Sequence, residues 1–363
     1  MAQEGHREWS AEYRASLGAY EACAEKLERL LSDLLTTAGI DAVDVESRAK
    51  DPESLEQKVD AKRGRYEEPL KDVTDLIGVR VIAYYLEDVE RISRIIEAQF
   101  EVDRENSSDK LQDLGSDRFG YRSVHFVITL AENRADLEEW AIFVGKRAEI
   151  QVRTATQHAW AAVEHKLSYK RTSEAPQEVR RKLMRLSALF ELADEQFSSV
   201  RAELEKVGAR YAHDVRGGNL DLPIDTSSLK AFLETSTRSR DLVARFQKLG
   251  LGVAALDNEE QHKRYEVDLR DLAVALDALD VKTLMELDEM LGRIILDDGR
   301  IEQMISAFEG VFTRWGSAAD LLTVVLGVEE NMPMEVFEKI YAEPMWPVVR
   351  ELRGGTPDEG TSD

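Results

Sequence analysis

The chain has 363 residues, with 48 Lys and Arg against 71 Asp and Glu, giving a formal net charge of −23. At ~100–200 residues per domain this length suits two domains, and a 43% hydrophobic content is enough for their cores. The strong acidity argues against a general nucleic-acid coat protein. No apolar run reaches the ~18–20 residues of a membrane helix, the best being Leu321–Val328. The polar, acidic start lacks the order of a signal peptide. A single cysteine, Cys23, gives neither an internal disulfide nor a thiolate cluster and suits a reducing cytoplasm. A cytoplasmic protein with no membrane segment is expected.

Residues 9–38 read as a helix, because Leu27, Leu30, Leu31, Leu34 and Leu35 recur at helical steps before Gly39. Leu76–Leu86 is a continuous run rich in branched and aromatic residues, as in a buried strand. Glu87–Gln99 has helical spacing through Val89, Ile92, Ile95 and Ile96, and Phe100–Val102 suits a short strand. Asp103–Arg118 has no apolar period and reads as a long loop, a length that is commonly functional. In Tyr121–Leu130, Val124, Phe126, Ile128 and Leu130 share one face and Tyr121, Ser123 and His125 the other. Glu149–Arg153 alternates again, with Ile150 and Val152 inward and Glu149, Gln151 and Arg153 opposite. A helix over 154–169 should bury Trp160, Val163 and Leu167. A long amphipathic helix over 177–211 carries Leu183, Leu186, Leu189, Phe190 and Ala193 along a stripe. Gly217, Gly218 and Pro223 mark a linker. Short helices follow over 229–249, 272–279, 281–291, 301–315 and 318–326, and the stretch from Gly354 has the composition of a disordered tail.

Chemistry can be assigned to few of these residues singly. Glu149 on a polar strand face and Asp75 at the entry to another strand could share a Mg²⁺ ion, which takes one or two carboxylates plus phosphate oxygens and water. Each reads equally well as a surface acid. Arg48, Lys50 and Lys58 cluster around a helix start at Asp51-Pro52 and could clamp a triphosphate, or form a solvated basic face. Tyr121, after a Phe-Gly pair, could stack on a base, with His125 four residues on and on the same face.

Their order is more telling. The motifs SRAKDPESLEQK, DLIGVRV, FGYRSVH and EIQVRTATQHAWAAVEHKLSYK resemble, in order and spacing, the synthetase domain of RelA/SpoT alarmone synthetases, over about Ser47 to Lys170. The resemblance implies an α+β fold, with a nucleotidyltransferase-like mixed β-sheet flanked by helices. It implies an enzyme that transfers pyrophosphate from ATP to a ribose hydroxyl of GDP or GTP. On this resemblance Arg48, Lys50, Lys58 and Arg80 are expected to bind ATP, and Asp75 and Glu149 to hold Mg²⁺ as the catalytic carboxylates. Tyr121, His125, Gln151, His158 and Glu164 are expected around the acceptor nucleotide.

One departure leaves the acceptor open. Guanosine-specific members carry a basic-Asp-Tyr-Ile segment before the Gly-Tyr motif, and Glu105–Phe119 lacks it, with Lys110 and Arg118 the nearest cations. The family includes toxic synthetases that make adenosine alarmones or modify the 3′ CCA end of tRNA. Lys166, Lys170, Arg171, Arg180, Arg181, Lys182 and Arg185 form a cationic cluster that could hold tRNA phosphates or be a solvated face. A degenerate, catalytically inactive nucleotide sensor is a third reading, opposed by the presence of both carboxylates. The expected organisation is an N-terminal helix (1–45), a synthetase domain with a trailing long helix (46–212), an all-α domain (226–353) and a tail (354–363). The all-α part resembles no known module and could regulate, neutralise or oligomerise the enzyme as a homo-oligomer. His213-Asp214 is isolated beside the linker, so a hydrolase activity is not expected.

Overall fold

The computed structural model describes residues 2–62, 64–109, 123–167, 176–253, 259–294, 296–308 and 316–354. Tyr121, Lys110, Arg118, Lys170, Arg171, Trp315 and the tail beyond Gly354 lie outside them. The chain forms two compact units, residues 1–200 and 201–363.

The first unit is built on a mixed sheet of β1 (Ala42–Ala49), β2 (Ile77–Ala83), β3 (Phe100–Val102), β4 (Ser108–Asp109), β5 (Val124–Leu130) and β6 (Ala148–Thr154). Its order is β1-β2-β6-β5-β3, with β4 also pairing on β5. β2 and β6 run parallel, and the other pairs are antiparallel. Strand alternation divides the sheet into two unlike faces. On one, Val79 lies opposite Ile150 and Val81 opposite Val152, which are in turn opposite Phe126 and Val124. These residues join one core with Leu27 and Leu31 of α1 (Ala2–Thr37) and Ile92 and Ile96 of α4 (Leu86–Gln99). Leu27, Leu31, Ile92 and Ile96 are fully buried, each contributing about 1.5–3 kcal/mol. The N-terminal helix is therefore an integral layer of the sheet unit. It ends where Gly39 takes a φ of +62°, a left-handed conformation glycine adopts without a steric cost. On the other face lie Arg48, Arg80, Glu149 and Gln151. Three short helices, α2 (Pro52–Ala61), α3 (Pro69–Asp72) and α5 (Glu132–Ala135), join the larger elements.

After the sheet come α6 (Ala155–Leu167) and α7 (Gln177–Arg216). The structure corrects two expectations here. Val163 is 49% exposed, on a stretch where residues 162–164 all face solvent, and the Leu167 side chain lies outside the described residues. The predicted apolar stripe of α7 is not its packed face: Leu186 and Leu189 are exposed, and the buried positions are Ser187, Asp194 and Ser198. Hydrogen bonds account for the burial of Asp194 and Ser198, while the buried Ser187 hydroxyl has no partner among the described residues. Asp194 accepts from the hydroxyls of Thr154 (2.7 Å) and Thr156 (2.5 Å), and Ser198 donates to Glu87 at 2.9 Å. Phe190 contributes one apolar contact, its ring centroid 5.7 Å from that of Trp160.

The second unit is all helical among its described residues. It takes in the end of α7, where Tyr211 and Val215 are buried in its core. The helices are α8 (Thr226–Thr235), α9 (Thr237–Lys248), α10 (Glu259–Ala278), α11 (Leu284–Arg293), α12 (Asp298–Phe308), α13 (Ala318–Glu329), α14 (Met334–Ile340) and α15 (Met345–Leu352). The run that was too short to span a membrane is α13, buried at every position from Ala319 to Val328. No helix among the described residues is long and apolar enough to cross a membrane. The single helix expected over 229–249 is two, because Ser236 is extended and its side chain caps α9 by accepting from Ser239 N. The α14 and α15 helices lie beyond the helices expected from sequence, although Met345, Val349 and Leu352 of α15 follow a helical period.

The Asp194 hydroxyl bridges give the first test. Asp194→Ala leaves the Thr154 and Thr156 hydroxyls without their acceptor and is expected to lower the stability of the sheet unit by about 1–3 kcal/mol. Urea unfolding followed by tryptophan fluorescence, which reports on Trp160, measures the change.

Candidate active site

The polar sheet face gathers residues that are distant in sequence. Strand register sets Arg48 beside Gly78, Glu46 beside Arg80, Gly78 beside Glu149, Arg80 beside Gln151 and Gln151 beside His125. A pocket of about 270 Å³ opens on this face, lined by Glu46, Arg48, Asp75, Arg80, Glu149 and Gln151 among others. Its floor includes Gly78, where the Arg48 side chain lies 3.8 Å from the place a β-carbon would take. Arg48 thus lies across the strand at ordinary contact distance. Arg48 and Arg80 thus flank the pocket as two planar cations. Arg80 is oriented by Glu46, whose carboxylate accepts from its Nη1 at 2.8 Å, while its buried Nε has no partner among the described residues.

Asp75 sits just before β2, between two lysines. Lys50 Nζ donates to Oδ2 and Lys58 Nζ to Oδ1, both at 2.8 Å. Burial pushes the Asp75 carboxyl up, but the hydrogen bonds and charges of the two lysines outweigh it and hold it below the usual range. Local structure fixes each lysine. Lys58 stands on α2, which is capped by Asp51 accepting from Ser54 N at 2.8 Å and begins with Pro52. Lys50 is buried, its backbone N donating to Leu76 O at 2.9 Å and its carbonyl accepting from the Tyr13 hydroxyl at 2.6 Å.

Glu149 accepts from His125 Nδ1 at 2.9 Å and from Gln151 Nε2 at 2.7 Å, both on Oε1. Burial raises its carboxyl, the His125 and Gln151 hydrogen bonds lower it, and the net direction is down despite repulsion from Asp75. His125 Nε2 lies 2.6 Å from Ser123 Oγ, so the imidazole is held between a hydroxyl and a carboxylate.

Ten of the eleven positions expected from sequence can now be placed, and Tyr121 lies outside the described residues. Arg48, Asp75, Arg80, Glu149 and Gln151 line one pocket, with Lys50, Lys58 and His125 bonded to its carboxylates. His158 lies at the far end of this face. Burial, then the charges of Arg153 and Arg80, lower its pKa and keep it neutral at pH 7, and its buried Nδ1 has no partner among the described residues. Glu164 is exposed further along α6 and is not drawn into the pocket. Three contributors were missed. Glu46 follows the same strand alternation as Arg48 and was legible from it. Tyr13 and Arg153 were not. Tyr13 acts through a backbone carbonyl, and Arg153, expected on an open polar face, is 7% exposed with its pKa pulled down to about 10 by burial and by Arg80.

Two ionised carboxylates facing one pocket fit a hard divalent cation whose remaining ligands are phosphate oxygens and water. No group of three or more potential ligands occurs among the described residues, so the protein alone would not enclose such an ion.

Most of this polar constellation lies within a segment that matches a known family. Residues 47–174 match the family described as "Region found in RelA / SpoT proteins"; this segment is a RelA/SpoT region. The chain is 25% identical over 148 residues to the GTP pyrophosphokinase YjbM of Bacillus subtilis (strain 168), covering 41% of this chain and 67% of that protein. It is 26% identical over 161 residues to the GTP pyrophosphokinase YwaC of the same organism, covering 44% and 73%. Among solved structures, small alarmone synthetase 1 from Bacillus subtilis aligns with a TM-score of 0.45 and 25% identity, over 54% of this chain and 99% of that one. Its complex with the product pppGpp aligns with the same TM-score and 26% identity, over 53% and 98%.

The Asp75 clamp generates a pH test. Because its folded pKa is depressed, Asp75 contributes stability above its unfolded value of about 3.9 that is lost as pH falls through the lower folded value. Asp75→Asn is expected to be less stable than the unaltered chain by about 1–3 kcal/mol at pH 7. The gap should shrink as pH falls towards about 3, where the native carboxyl also loses its charge. Urea denaturation midpoints between these pH values measure it.

Proposed function

We propose that this chain is an ATP-dependent pyrophosphokinase that transfers the β,γ-pyrophosphate of ATP to the ribose 3′-hydroxyl of GDP or GTP, making a guanosine alarmone. One observation carries the reading. Asp75 and Glu149 converge on the pocket flanked by Arg48 and Arg80, within a segment that matches the RelA/SpoT family. The GTP pyrophosphokinase names of the relatives support the activity and the guanosine acceptor.

The residues divide the work by their chemistry. Arg48 and Arg80 offer flat faces on either side of a slot, suited to a purine ring. Lys50 and Lys58 bring two ammonium groups to Asp75, where they can also meet triphosphate oxygens. The acceptor 3′-oxygen attacks the β-phosphorus, the bond from that phosphorus to the α,β-bridging oxygen breaks, and AMP leaves with the bridging oxygen. The hydroxyl proton passes to solvent. Phosphoryl transfer of this kind needs alignment and charge neutralisation more than a strong base. The depressed pKa of Glu149 agrees, since it makes the carboxylate a poor proton acceptor and a better holder of cationic charge. Asp75 and Glu149 are the residues that would hold Mg²⁺, and a bound Mg²⁺ would neutralise phosphate charge as the pyrophosphate transfers. His125 and Gln151 fix the Glu149 carboxylate, and Gln151 and the neutral His158 stand beside the space left for the acceptor.

Purified protein given ATP labelled in the β and γ positions, with GDP, GTP, ADP or bulk tRNA offered separately, tests the proposal. Label moving into GDP or GTP is expected; label appearing only on ADP or tRNA would replace the acceptor, and no transfer to any of them would leave a nucleotide sensor. Asp75→Asn and Glu149→Gln should each reduce transfer by ~10³-fold or more, the scale for losing charge stabilisation in a transition state. Arg48→Ala and Arg80→Ala should raise the KM for ATP. Tyr121→Ala should weaken acceptor binding by about 1–3 kcal/mol if it stacks on the base.

A further inference from the structure

Arg153 on β6 is a buried cation with no hydrogen bond or ion pair among the described residues. It is 7% exposed, and its Nε is sealed from water. Glu46 attracts it, but that carboxylate already accepts from Arg80 at 2.8 Å, and Arg80 repels it. Burying a charge in this state is costly, and buried polar groups in folded proteins nearly always find a partner. His158 repeats the pattern. It feels the charges of Arg153 and Arg80, and its buried Nδ1 also has no partner among the described residues. Both groups call for atoms that the described chain does not supply.

Position along the strand says which part of a ligand would supply them. Glu149, Gln151 and Arg153 stand on one face of β6, two residues apart. At ~3.3 Å per residue, the row from Glu149 to Arg153 is about 13 Å long. A nucleoside laid along it with its 3′-oxygen at the Glu149 end carries its ribose past Gln151 and its base to Arg153. This placement rests on the acceptor reading proposed for the site.

The base edge then follows from the chemistry of the fork. A guanidinium offers only donors. Guanine presents two acceptors, O6 and N7, that match it, the commonest specific pairing between arginine and a base. Adenine carries an amino group where O6 would be, so a buried N–H of Arg153 would face another donor. The acceptor's own 5′-phosphates are the competing partner. At 7% exposure a diphosphate would have to shed its water to reach the fork, whereas a neutral base edge sheds far less.

We infer that Arg153 is the specificity-determining residue of the acceptor site, its guanidinium donating to O6 and N7 of guanine. The selection needs no basic-Asp-Tyr-Ile segment, which this chain lacks.

Isothermal titration calorimetry tests it, with the donor site filled by α,β-methylene-ATP, whose bridging carbon blocks transfer. The unaltered chain should bind 7-deaza-GDP, which lacks the N7 acceptor, about tenfold more weakly than GDP. This arm needs no mutation and so does not depend on a variant folding. Arg153→Gln should weaken GDP and guanosine alike by about 10–100-fold, the worth of one bidentate pair. The same variant should gain affinity for ADP, because a glutamine amide matches N6 and N7 of adenine. Circular dichroism and a titration with the ATP analogue alone check that the variant keeps its fold and donor site. Equal affinities for GDP and 7-deaza-GDP, or no binding of GDP, would overturn the inference. So would a loss in Arg153→Gln seen with GDP but not with guanosine, which would assign the arginine to the 5′-phosphates. Base-dependent binding without any transfer of label from ATP would instead overturn the proposed reaction and leave this inference standing.

Discussion

The site depends on a carboxylate kept charged while partly withdrawn from water. Asp75 alone would be driven towards protonation by burial, and the ammonium groups of Lys50 and Lys58 prevent it. The clamp works in both directions, because Lys50 is itself buried and Asp75 gives its ammonium group a counter-ion out of water. Neither lysine is held by Asp75 alone. Lys50 is fixed through its backbone by Tyr13 and Leu76, and Lys58 by the capped helix that follows Asp51. Geometry set by the backbone thus precedes the electrostatics and makes it affordable in free energy.

Glu149 is treated differently. It takes hydrogen bonds from a histidine and an amide on the same oxygen rather than a full ion pair. The two acids therefore face the pocket with unlike partners, one among strong cations and one among neutral or weakly basic donors. Charge is consequently graded across the polar face. Lysines surround Asp75, whereas His125 and Gln151 surround Glu149.

Much of this was legible in the amino-acid order. Period-two alternation placed Val124, Phe126, Ile128, Ile150 and Val152 in the core correctly, because a strand's side chains must alternate, but it left Arg153 on an open face where it is in fact buried. Helical leucine spacing found α1, and the Asp51-Pro52 start found α2. The errors have a common origin. Val163, Leu186 and Leu189 were assigned to the interior because they are apolar, yet apolar character states only that burial is favourable, not that a partner is present in the same chain. Asp194 and Ser198 were passed over because polar residues bury readily only when hydrogen-bonded, and their partners, Thr154, Thr156 and Glu87, lie far away in sequence.

The sequence by itself determined which residue types were available and on which face of which element each would stand, since those follow from local backbone periodicity. It also carried the family resemblance, through motifs whose order survives without any coordinates. Only the tertiary structure decided that β6 would lie between β2 and β5, placing Glu149 near Asp75, and that Tyr13 would fasten Lys50 from a helix of another layer. Those outcomes depend on strand pairing and packing between distant segments, whose energies are summed over the whole unit and are not encoded at any single position.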